Sequence, residues 1–210
     1  MDSAGLPRRL GQLYIGLVLY GLAIALQVRA ALGLDPWDVF HQGLSRLVHL
    51  SIGSVVIAVG VFVLLSWIPL RQRPGLGTVS NVIVLGLAVD AALWALPIPG
   101  PLAVRIGYLA VGIVLCGMAT GMYIGANFGP GPRDGLMTGL ARRTGASLRL
   151  TRTAIELTVL GLGWLLGGTV GVGTVLFALA IGPLSQLFMR VFALPVRAPQ
   201  PVRAAQLARC

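Results

Sequence analysis

The sequence predicts an all-α integral membrane protein: about six transmembrane helices in two inverted three-helix repeats, each carrying a short Pro-Asp-initiated helix. Three observations predict it. Apolar stretches with few charges fill most of the chain, residues recur at a constant offset of 96, and a short polar segment sits alike in both copies.

The chain is 56% hydrophobic and only 10% charged, whereas soluble domains carry roughly 25% charged residues. Six stretches, 10–28, 51–70, 76–96, 106–127, 148–166 and 172–194, approach the ~20 apolar residues that cross a bilayer core. The first has a basic lead-in and no clear cleavage motif, so it reads as a span and not a signal. Segments 36–48 and 132–145 are too short: a 13-residue helix rises ~20 Å against a ~30 Å core. They are read as re-entrant or interfacial. One membrane domain is expected over 1–195, with repeat one at 10–97 and repeat two at 106–194. A disordered, Arg/Pro-rich cytoplasmic tail is expected over 196–210.

The net charge of +10 comes from 16 basic residues, all Arg. They lie between apolar stretches, where they set orientation more simply than they bind nucleic acid. In a six-span layout Arg8, Arg9, Arg71, Arg73, Arg133, Arg142, Arg143, Arg149, Arg152, Arg190, Arg197, Arg203 and Arg209 share one side. Only Arg29, Arg46 and Arg105 fall on the other. Both termini are therefore expected in the cytoplasm of a bacterial inner membrane.

The repeat is clearest in "GLDPWDVFHQGLSR" (33–46) and "GPGPRDGLMTGLAR" (129–142). Gly33, Pro36, Asp38, Gly43, Leu44 and Arg46 return as Gly129, Pro132, Asp134, Gly139, Leu140 and Arg142. The offset also pairs "GLGTV" (75–79) with "GVGTV" (171–175), and Gly86 with Gly182. Three spans is an odd number, so the second copy should be inverted. Inverted repeats recur in secondary transporters, with the site where the repeats meet.

As a helix, 36–48 is amphipathic. Trp37, Phe40 and Leu44 fall on one face and Asp38, His41, Gln42 and Arg46 on the other. Asp35 suits the cap, Pro36 the first turn, and Asp38 the positive end of the helix dipole. These residues start a short helix, and the same pattern also marks broken helices that line transport sites. The other geometry is a helix flat in the interface with its Trp37 face toward lipid. Asp90 and Glu156 lie within apolar spans, where carboxylates are costly and functional by default. Arg152, one turn before Glu156, offers an ion pair instead. Asp35, Asp38, His41, Asp90, Asp134 and Glu156 are the candidate substrate- or ion-binding residues. Gly33, Pro36, Gly43, Gly129, Pro132 and Gly139 are the structural positions of the motif. Asn81 and Asn127 are weaker candidates.

His41 and His49 alone make no metal set, and Cys116 and Cys210 make no disulfide pair. No catalytic triad or phosphate loop stands out, so neither an enzyme nor a cofactor is expected. Gly117, Gly121, Gly125 and Gly129, every fourth residue, allow close packing within the monomer or, less readily, in a homodimer.

The quoted motifs, with "GLGTVSNV", resemble the YczE/YyaS/YitT family of bacterial integral membrane proteins, closest to the YczE branch, from about Gly11 to Phe188. The soluble C-terminal domain of YitT-type members has no counterpart here. The resemblance implies a multi-pass inner-membrane protein and leans toward small-molecule export. The expected work is to move an unknown small molecule, coupled to protons. The rivals are a substrate-binding subunit of a larger transporter and a non-transporting scaffold or regulator.

Overall fold

The computed structural model describes residues 5–193, which form eight α-helices and no strand. They are α1 (Gly5–Ala30), α2 (Pro36–Val48), α3 (Ile52–Leu70), α4 (Leu76–Ala95), α5 (Leu102–Gly125), α6 (Pro132–Thr144), α7 (Leu148–Leu165) and α8 (Val172–Phe192). Five of these, α1, α3, α4, α5 and α8, are long and apolar enough to cross a membrane. The remaining expected span, α7, has 18 residues and carries Arg149, Arg152 and Glu156, which lowers its apolar character. The expected tail, 196–210, lies outside the described residues.

The centre of the molecule is the pair α1 and α5, which run antiparallel. Arg9, at the start of α1, donates to the carbonyls of Ala126 and Asn127 past the end of α5, both at 3.0 Å. Arg105, at the start of α5, donates to Ala30 and Ala31 past the end of α1, at 2.7 and 2.8 Å. Arg105 is Arg9 displaced by 96, and so are the acceptors. Counted above only as markers of sidedness, these two arginines cap each other's helix: a guanidinium satisfies carbonyls that a helix end leaves without partners.

The two glycine motifs form a second matched clasp. Gly33 and Gly129 adopt φ of 120° and 113°, conformations that favour glycine. Each turn lies against the other half's Gly-x-Gly-Thr segment. Gly173 N–H donates to Leu32 at 2.8 Å, and Gly77 N–H to Phe128 at 2.9 Å. Thr78 Oγ1 accepts from Gly75 and donates to Pro130 at 2.7 Å.

Around α1 and α5 the remaining helices are arranged alike. Helix α4 packs along α1, and α8 along α5; α2 lies on α7, and α6 on α3. The stripe Gly117, Gly121 and Gly125 faces Leu184, Phe188 and Phe192 of α8, so close packing within the chain uses it. Gly129 lies beyond the end of α5, in the turn. The short helices thus reach across to the opposite half, and this crossing positions the site.

Candidate functional site

The first turns of α2 and α6 meet inside the molecule. Asp35 ends the extended segment after α1 and caps α2, its Oδ1 accepting from Asp38 N–H at 2.7 Å. Pro36 occupies the first turn, where no backbone N–H is required. Helix α6 begins with Pro132 in the same way, but Gly131 stands where Asp35 would cap and provides no side-chain bond. The next position differs too: Trp37 in α2, Arg133 in α6.

Those two unlike residues face each other, the Arg133 guanidinium 5.0 Å from the centre of the Trp37 ring. Arg133 also lies 3.7 Å from Asp35 Oδ2 and 3.5 Å from Asp38 Oδ1. Asp35 and Asp38 are only 3% and 1% exposed. His41 Nδ1 sits 3.1 Å from Asp38 Oδ1 and is buried as well. The polar face of α2 therefore points inward. Trp37 is buried with it, so the interfacial geometry with Trp37 toward lipid is corrected: a buried carboxylate pair with a half-buried guanidinium partner is held inside the protein, whereas lipid offers none. Asp38 Oδ2 and Trp37 Nε1 are buried without a hydrogen-bond partner among the described residues.

A cavity of about 260 Å³ leads up to this centre, lined by Asp35, Arg133 and Asp134, by Tyr20 and Tyr123, and by Arg152, Glu156, Ser185 and Gln186. Tyr20 and Tyr123 stack with centroids 6.2 Å apart. The Tyr123 hydroxyl donates to Asp134 Oδ2 at 3.1 Å. Arg152 Nε donates to Glu156 Oε1 at 2.8 Å, the ion pair that the spacing offers.

The cavity exists because α7 and α8 do not pack along each other, whereas α3 and α4, their counterparts, do. In the first half Gly53 and Gly86 let the backbones touch, and a side chain at either would collide with the opposite helix. Gly60 lies against Val82 in the same seam. Asp90 locks it, its Oδ1 accepting from Gly53 N–H at 2.8 Å and its Oδ2 from the Ser51 hydroxyl at 2.6 Å. In the second half the 96-residue counterparts of Gly53, Val56, Gly60 and Asp90 are Arg149, Arg152, Glu156 and Gln186. Gly182, the counterpart of Gly86, has open space where its Cβ would stand.

Of the candidate residues, Asp35, Asp38 and His41 form one cluster, and Asp134 and Glu156 line the cavity beside it. Asp90 is apart, at the α3–α4 seam. His49 ends α2 in a left-handed conformation, exposed and away from His41. Asn81 faces a smaller space between α3, α4 and α6, and Asn127 is the left-handed residue after α5. Gly43 lies under the end of α7 at Gly163 and Leu166, and Gly139 under Leu70 and Gln72 at the end of α3. The sequence reading missed Arg133, the cation of the centre. Its signal was present: an Arg inside the repeated motif, where the first copy has Trp.

The family model described as "Family of unknown function (DUF6198)" matches residues 7–190. An uncharacterized protein of Haemophilus influenzae is 39% identical over 181 residues, 86% of this chain and 83% of its own. The uncharacterized membrane protein YczE of Bacillus subtilis is 33% identical over 80% of each chain. The uncharacterized protein YyaS of the same organism is 26% identical over 84% of this chain and 90% of its own. No solved structure matches.

Proposed function

The chain belongs to the DUF6198 family, whose function is unknown, and from that premise we propose that it is a proton-coupled secondary transporter of a small molecule. One observation carries the reading. Two halves with matching sequence and matching contacts differ at one corresponding helix pair, closed at α3–α4 and open at α7–α8, and the open side leads to the buried Asp35–Arg133 centre. In transporters built of inverted repeats, the opposite-facing state arises when the halves exchange arrangements around a fixed site.

In this reading α1, α3, α4, α5, α7 and α8 are the six spans, and α2 and α6 are re-entrant helices whose first turns meet between the repeats. The Arg distribution puts both termini in the cytoplasm of the inner membrane. The cavity then opens on the cytoplasmic half, and the α3–α4 seam is the external gate, latched by Asp90. Asp90 is a gate residue here, not a cargo ligand. Asp35, Asp38, Asp134 and Glu156 carry the proton and the cargo, and no bond-making chemistry is involved. Opening the seam breaks the two Asp90 bonds. Closing α7 onto α8 dehydrates the Arg152–Glu156 pair, whose members are 55% and 32% exposed. Pro183 withholds a backbone donor in mid-α8, which eases bending there.

The test needs no known cargo. Single cysteines at Ser185, in the cavity, and at its counterpart Val89, buried in the first half, are placed in a background lacking Cys116 and Cys210. A membrane-impermeant maleimide is added to right-side-out and inverted vesicles. Ser185→Cys is expected to react from the cytoplasmic side. Val89→Cys is expected to react from the external side, faster when Asp90→Asn weakens the latch, while Ser185→Cys labelling falls. Val89→Cys inert from outside in both backgrounds would leave the non-transporting scaffold as the better reading.

A further inference from the structure

The lining of the cavity says what kind of cargo it accepts. It is small, about 260 Å³, near the lower end for ligand pockets, which suits a molecule and not a peptide. Three carboxylates, Asp35, Asp134 and Glu156, and two guanidiniums, Arg133 and Arg152, line it, and Asp38 stands behind them against Arg133. Arg133 is shared between Asp35 and Asp38, and Arg152 is held by Glu156. Asp134 receives only the Tyr123 hydroxyl and has no cation within ion-pair distance among the described residues. The walls near it are aromatic and apolar: Tyr20, Tyr123 and Phe177, with Met137, Ile181 and Met189. Carboxylate excess beside aromatic faces is the chemistry that holds an organic cation.

The approach to the cavity is as specific as its lining. Where α3 meets α4, Val56 is buried in the seam; its counterpart Arg152 is exposed at the edge of an open one. Outside that edge α7 and α8 present Leu150, Leu157, Leu179 and Leu187, all more than half exposed, the surface that a span turns to lipid.

We infer that the cavity takes a small organic cation with an apolar body, an amphiphilic amine, which enters from the bilayer between α7 and α8 and pairs with Asp134. This rests on the transporter reading, and its test is independent of it. The protein in lipid nanodiscs is titrated with radiolabelled benzyltrimethylammonium, against its uncharged carbon isostere neopentylbenzene as competitor. Saturable binding is expected, weakened at least tenfold in Asp134→Asn, retained in Asp134→Glu, and not displaced by the isostere. Equal binding by Asp134→Asn, displacement by the isostere or no saturable binding overturns the cargo class. For the route, a fluorophore on Ser185→Cys is quenched by nitroxides on lipid acyl chains if the opening faces the bilayer. Quenching by aqueous iodide alone overturns lateral entry. Two-sided thiol accessibility without amine binding removes the cargo and keeps the transporter. Amine binding with one-sided accessibility does the reverse.

Discussion

Helices α3 and α4 correspond to α7 and α8 at an offset of 96 residues, and the two pairs pack in opposite ways. The first pair is zipped by glycines and a capping carboxylate. The second is held apart around a charged ion pair, with free space over Gly182, the counterpart of the seam glycine Gly86. Among the positions where the two pairs differ, four stand at the seam or its open counterpart: Gly53 against Arg149, Val56 against Arg152, Gly60 against Glu156 and Asp90 against Gln186. Small residues let helices approach in lipid, where packing and not hydrophobicity drives association. Long charged ones keep a wet gap that closes only by dehydration.

The largest expected effect concerns another place where the halves differ, Trp37 against Arg133. Arg133→Met leaves Asp35 and Asp38 buried without a cation, and losing one partner of a buried pair costs about 3–5 kcal/mol. Thermal unfolding in detergent should show a large drop in midpoint, or no folded protein. Trp37→Phe, which keeps the carboxylates paired, should be mild. Equal loss in both would mean that packing, not charge, holds the centre.

The seam itself is tested next by one substitution made in both halves. Gly86→Leu drives a side chain into Ile57 and the Gly53 carbonyl, an overpacking worth about 1–3 kcal/mol. Gly182→Leu enters open space and should leave the midpoint nearly unchanged, while slowing maleimide access to Ser185→Cys. A similar loss of stability in both would erase the contrast.

The matched arginines should behave alike. Arg9→Met and Arg105→Met each remove two charge-assisted bonds to the opposite helix end. Partial exposure reduces the cost to about 1 kcal/mol each. Unequal losses would show that the halves contribute unequally at their ends as well as at the seam. The smallest effect belongs to Glu156→Gln. Its ion pair with Arg152 is partly exposed, so stability should move by only about 0.5 kcal/mol, while the proton dependence of flux is lost. Unchanged proton dependence would remove Glu156 from the coupling role.

Much of this was legible in the chain. The six longer helices fall close to the six apolar stretches, because length and apolar content are local properties, and the two short helices fall on the repeated Pro–Asp segments, whose helix-start residues are local as well. Asp35 as the cap of α2 and Glu156 with Arg152 were also readable, since each involves residues within one turn. The 96-residue offset was readable to its end: it pairs Arg9 with Arg105 as strictly as it pairs Pro36 with Pro132.

What the sequence by itself determined is therefore the elements, the 96-residue offset at which residues recur and the local chemistry of each short helix. Only the tertiary structure decided that Arg133 of the second copy neutralises Asp35 and Asp38 of the first, residues some 96 positions apart brought together because α2 and α6 cross to opposite halves. It also decided that Asp90 belongs to a seam and Glu156 to a cavity. Both are single carboxylates in apolar helices, and no periodicity tells them apart. The distinction depends on what stands across from each: for Asp90 a glycine that lets the α3 backbone reach its oxygens, for Glu156 an empty space that a neighbouring helix declines to fill.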